Sequence, residues 1–122
     1  MTESQGLTSH VASTDVIELA TTKRDGDEVV TPIWGVVVDG AAYIRSAYGG
    51  GSTWYRRAQR THQAALVDGA ARYPVAIEDV TDDATNTDVD DAYSQKYADS
   101  SSLPDLLTSR AQQFTMRLTP TG

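Results

Sequence analysis

Val36-Val37-Val38-Asp39-Gly40-Ala41-Ala42-Tyr43-Ile44-Arg45-Ser46 sets two extended runs on either side of an Asp-Gly pair. Asp-Gly is the dipeptide that a two-residue hairpin loop demands, because both central residues take positive φ there. β-branched and aromatic residues flank it on both sides, so two antiparallel strands meet at this turn. Working upstream, residues 28–38 form one long extended run. It must be interrupted, bulged or at an edge near Thr31-Pro32-Ile33-Trp34, because Pro32 has no N–H for a ladder. Asp25-Gly26-Asp27 supplies another turn, and Ile17, Leu19 and Thr21 share one face of a strand before it. Three strands joined in this way predict a meander.

Downstream the pattern continues. Ser52 is placed to cap a helix over residues 53–60. Residues 63–67 and 72–80 are extended and joined by Asp68-Gly69. Residues 81–98 read as a helix starting at Thr81 or Asp82, with Val89, Ala92, Tyr93 and Tyr97 able to share a face. A further short helix is expected within residues 103–112, with Pro104 in its first turn. Phe114, Met116 and Leu118 then alternate with polar residues, the mark of a half-buried strand. The sum is a predominantly antiparallel α+β domain, a small β-barrel with two or three short helices. Residues 15–122 are read as this single domain and residues 1–14 as a disordered polar tail, with His10 exposed in it.

The chain of 122 residues carries 17 acidic and 10 basic side chains, a formal charge of -7. That balance argues against nucleic acid as a partner, since such binding depends on cations neutralising phosphates. No apolar run has the length of a membrane span. The absence of cysteine removes disulfides, thiolate metal sites and cysteine nucleophiles, and fits a cytoplasmic protein. Nine of the seventeen acids fall between Glu78 and Asp105, but the spacing matches no calcium loop, and no metal site is expected.

Charge is distributed unevenly. Between Asp39 and Asp68 there is no acidic residue, while Arg45, Arg56, Arg57 and Arg60 give the interval +4 and leave -11 for the rest. A strand ending in Arg45-Ser46, three glycines, and a helix start with hydroxyls at Ser52 and Thr53 make an anion-binding arrangement, as helix N-termini present free amides and arginine a matching fork. The competing reading is a solvated arginine face that pairs with the acidic segment. Walker, dinucleotide and serine-hydrolase motifs are missing; Trp54 stands where two of them need glycine.

Val30-Thr31-Pro32-Ile33-Trp34, then Tyr43-Ile44-Arg45-Ser46, then Ser52-Thr53-Trp54-Tyr55-Arg56-Arg57-Ala58, in this order, resemble the flavin and deazaflavin-binding split-barrel superfamily typified by pyridoxamine phosphate oxidase. More closely, the chain is similar to a small bacterial family within it. The resemblance spans about residues 16–80 and implies a split barrel with FMN or a deazaflavin as cofactor. It places Thr31, Pro32, Ile33 and Trp34 near the flavin ring and Arg45, Ser46, Ser52, Arg56 and Arg57 around the phosphate. It also implies a homodimer. His62, Tyr43 and Tyr48 are the candidate catalytic residues, as proton donors or hydrogen-bond donors beside the ligand. The function expected is oxidation or reduction of a small molecule. Two alternatives stay open: a cofactor-independent enzyme of cyclase or isomerase type in the same groove, and a non-enzymatic anion-binding or interaction module.

Overall fold

The computed structural model describes residues 2–46, 52–69, 71–101 and 103–121. Its elements are α1 (Thr2–Ser13), β1 (Ile17–Thr22), β2 (Glu28–Ile33), β3 (Gly35–Val38), β4 (Ala41–Arg45), α2 (Thr53–Thr61), β5 (Gln63–Asp68), β6 (Ala71–Asp79), α3 (Asp83–Lys96), α4 (Leu103–Leu106), α5 (Ser109–Gln112) and β7 (Thr115–Pro120). The seven strands make one antiparallel sheet in the order β2-β1-β5-β6-β7-β4-β3. The fold is α+β and mostly antiparallel β, as the sequence predicts. Asp39 and Gly40 take φ of 50° and 80°, as a twisted two-residue hairpin between β3 and β4 requires.

One expectation fails in an informative way. The extended run of residues 28–38 does break, but at Trp34, and its halves do not form the middle of a meander: β2 and β3 lie on opposite edges of the sheet. A sheet whose two edges are joined by one residue must curl on itself, and the result is a half-barrel. Pro32 is tolerated because β2 is an edge strand. The seam is held from α3 and the turn after it. Tyr93 donates its hydroxyl to the Trp34 carbonyl at 2.9 Å, and the Tyr97 hydroxyl accepts from Gly35 N at 3.3 Å and donates to the Asp15 carbonyl at 2.6 Å. Gly35 is needed here for space: a Cβ would lie 2.8 Å from Ile17 Cδ1 and 3.3 Å from Val11 Cγ1.

The expected polar tail is in fact helix α1. Leu7 and Val11, one helical turn apart, are buried in the main core with Ile17, Ile44 and Leu66. Lys96 fixes the end of α1, donating to the carbonyls of Val11 (2.6 Å) and Thr14 (2.8 Å) and to Gly35 O (2.6 Å). Burial lowers the pKa of that ammonium. His10 is not exposed either: its ring stacks on Tyr73 at 5.6 Å, with Nδ1 3.6 Å from Asp68.

The core has two parts, one on each face of the sheet. α2 adds Trp54, Tyr55 and Ala58 to the inner one. α3 lays Val89 and Tyr93 over Val36 and Tyr43 on the outside of β3 and β4. Its start is capped by Asp82, whose carboxylate accepts from Thr85 N at 2.9 Å, in the place the sequence predicts. The single short helix expected within residues 103–112 is divided into α4 and α5. Among the described residues, no helix is long and apolar enough to cross a membrane.

Candidate functional site

Alternation along β4 sends Ile44 into the inner core and Tyr43 and Arg45 to the face that α3 covers. Arg45 is therefore buried, and all five of its N–H donors are engaged within the chain. Nε donates to Thr115 Oγ1 at 2.8 Å. Nη1 donates to Asp90 Oδ1 and to the Leu106 carbonyl, the latter at 2.8 Å. Nη2 donates to both oxygens of Asn86, at 3.3 and 3.2 Å. The guanidinium also lies 5.7 Å from the centre of the Tyr93 ring, whose hydroxyl burial holds well above the usual phenol range. Arginine has no sixth donor. Arg45, expected as a direct phosphate ligand, is instead engaged inside the chain, where it locks α3 and α4 onto the sheet.

Asp90, Asn86, Gln112 and Thr115, none of them singled out from sequence, complete this network. Gln112 donates to Asp90 Oδ2 at 2.5 Å, and Thr115 Oγ1 donates to the Gln112 carbonyl at 3.0 Å. A cleft of about 380 Å³ opens beside it, lined by Val80, Thr81, Asp83, Asn86, Gln112 and Gln113. A signal was present: Arg45 lies two residues from Tyr43 and so shares its face, where the acidic helix packs.

The next residue behaves differently. Ser46 Oγ lies 2.7 Å from Ser52 Oγ, which ties the end of β4 to the start of α2. Ser52 is the N-cap residue by backbone geometry, yet its side chain accepts no bond from the helix. Two hydroxyls therefore meet at the end of a nine-residue helix, together with its first-turn amides. The three glycines and Tyr48, expected between these serines, lie outside the described residues.

The other predicted residues are dispersed. Arg56 is exposed on α2. Arg57 donates from Nε to Thr21 Oγ1 at 2.7 Å, and Arg60 donates to the Thr22 carbonyl at 2.5 Å, so both lean over the end of β1. His62 closes α2 in the left-handed region, φ 54°, at the opposite end from Ser52. Tyr43 is buried against α3. The structure therefore does not bring His62 or Tyr43 together with the serine pair. Of the predicted ring-facing wall, Ile33 is in the core, Pro32 is exposed, Thr31 is half-buried, and Trp34 stacks on Tyr97 with ring centroids 4.2 Å apart and planes 5° from parallel.

A family model described as "uncharacterized protein conserved in bacteria" (DUF2255) matches residues 8–118. No curated protein matches the sequence. Among solved structures, the conserved hypothetical protein Rv2991 of Mycobacterium tuberculosis is similar over 97% of this chain and 80% of its own, at 17% identity and a TM-score of 0.74. An F420-H2 dependent reductase, FDR-A, covers 85% of this chain and 93% of its own, at 15% identity and a TM-score of 0.65. HutZ, a heme storage protein of Vibrio cholerae, covers 97% and 89%, at 14% identity and a TM-score of 0.66. These likenesses, all below 25% identity, show the fold: a split β-barrel.

Proposed function

Because the chain belongs to the DUF2255 family of bacterial proteins and folds as a split barrel, we infer that it is a small-molecule oxidoreductase holding FMN or a deazaflavin by its phosphate where β4 meets α2. The observation that carries this reading is the Ser46–Ser52 hydroxyl pair at an N-terminus that the Ser52 side chain leaves uncapped. Hydroxyls and backbone amides at a helix start are the donor set a phosphate needs. When bound, such a cofactor supplies hydride transfer.

The chain's own residues supply position and charge. Arg45 acts at one remove: by fixing the end of β4 against Thr115 and α3 it sets where Ser46 points. Arg56, exposed one turn into α2, brings the positive charge that Arg45 no longer offers, while Arg57 is turned toward β1. Pro32 and Trp34 form the ring-facing wall, with Trp34 held flat by Tyr97. A homodimer is the working assembly in this reading, by the same resemblance, and sedimentation of the purified protein tests it.

The test of function is an absorbance spectrum of freshly purified protein, followed by titration with FMN and with F420. Saturable binding of one of them, weakened about tenfold or more in Ser46→Ala/Ser52→Ala, is expected. A colourless protein that binds neither refutes the reading.

A further inference from the structure

On the face of the sheet opposite the inner core, one cross-strand row runs straight over four strands: Val30 opposite Ala20, Ala20 opposite Ala65, and Ala65 opposite Pro74. At about 4.8 Å per strand the row is about 14 Å wide, and its two central members are alanines, so its middle is flat. Glu28 stands one row to one side, opposite Thr22, and Arg72 one row to the other, opposite Val67. Their side chains nevertheless meet. Arg72 Nη1 donates to Glu28 Oε1 at 2.9 Å, and Nη2 donates to the second carboxylate oxygen. The pair is a strap laid diagonally across the alanine floor, where larger residues would leave it no room. Ala20 and Ala65 keep 2% exposure although α2 packs on the other face.

A cleft of about 350 Å³ lies at this strap, with Thr22, Thr61 and Gln63 at one end. Arg60, bonded to the Thr22 carbonyl, adds a second cation at that rim. Both partners of the strap are about half exposed, so water and salt compete for it and it is held only weakly. An incoming carboxylate would restore to Arg72 the same two-pronged contact that Glu28 gives up.

We propose that this cleft binds a planar aromatic carboxylate, with its ring on Ala20 and Ala65 and its carboxylate in the place of Glu28 on Arg72. The strap is then the closed form of the site, opened by exchange of one carboxylate for another. The cleft lies at the far end of α2 from Ser46 and Ser52, about 13 Å along its nine residues. It stands or falls independently of the cofactor reading.

The test is a titration of the full chain, without added cofactor, with benzoate, benzamide and acetate, followed by amide shifts at Ala20 and Ala65. Saturable benzoate binding is expected, with benzamide and acetate about tenfold weaker. Glu28→Gln removes the competing carboxylate and should tighten benzoate about threefold. Arg72→Gln should abolish binding, and so should Ala65→Leu, which fills the floor; the exposed Arg72 variant decides the matter where Ala65→Leu fails to fold. Equal affinity for benzoate and acetate, or no gain in Glu28→Gln, overturns the proposal. So does association of Glu28→Gln beyond the assembly that the unsubstituted protein forms in sedimentation, if benzoate does not reverse it, since a second copy would then own the strip.

Discussion

Replacing Arg45 with methionine keeps the bulk of the side chain and removes all five donors. The carbonyls of Leu106 and Asn86 are then left without the partner they have now, while Asp90, with 23% of its side chain exposed and a second bond from Gln112, can draw on solvent. Each orphaned buried acceptor costs about 1–3 kcal/mol, and losing one partner of a buried pair costs about 3–5 kcal/mol in all. A chain of 122 residues has a total stability of about 6–18 kcal/mol. The variant should therefore lose a substantial part of it, with a fall in Tm of about 10–20 °C. Urea unfolding followed by far-UV circular dichroism measures the loss. The second arm is Arg45→Met/Asp90→Leu, which also removes the stranded charge and should be more stable than Arg45→Met alone. A loss under about 1 kcal/mol, together with abolished FMN or F420 binding, would refute the assignment: Arg45 would then be a ligand clamp and its internal bonds incidental.

Two further outcomes follow from the same structure. Removing residues 1–13 should destabilise the protein by several kcal/mol instead of trimming a loose end, and Leu7→Ala alone should cost about 2–4 kcal/mol in the same urea assay. Tyr97 is pushed up to about 12 from 10 by burial. The folded state thus retains a proton that the unfolded chain releases, so stability falls as pH rises from about 10 to 12. Tyr97→Phe should flatten that part of the pH profile, although it starts from lower stability because Gly35 N and Asp15 O lose their partner.

What was legible in the sequence was local. Asp39-Gly40 needs only its own backbone to make a hairpin, and Asp82 needs only Thr85 to cap α3. Pro32 marks an edge strand, one of the outcomes its missing N–H allows. The separation of β2 from β3 depends instead on Gly35, Tyr93 and Tyr97, residues that meet only across some sixty positions of chain. α1 is hidden from the sequence for a related reason. It offers two buried apolar side chains on an otherwise polar helix, and its burial exists only once the curled sheet provides a hollow for Leu7 and Val11. The arginine cluster was visible as composition, but its division was not. Which arginine turns inward follows from the pleat of β4, because Arg45 shares the face of Tyr43 and not that of Ile44.

That division changes what holds a phosphate. The interval from Asp39 to Asp68 brings four arginines, yet Arg45 is neutralised by Asp90 inside the protein, and Arg57 and Arg60 lean toward Thr21 and Thr22 at the end of β1. Arg56 is the cation left most open to solvent beside the first turn of α2. A phosphate at Ser46 and Ser52 would then be held mainly by hydroxyls and amides, which salt does not screen, with one exposed charge in support. Cofactor affinity measured from 50 to 500 mM salt should accordingly fall by no more than about tenfold, and Arg56→Gln should remove most of that dependence. A four-arginine clamp predicts a much steeper decline that no single substitution abolishes. Observing such a decline would return Arg45 to the ligand and require α3 to lift from the sheet when the cofactor binds.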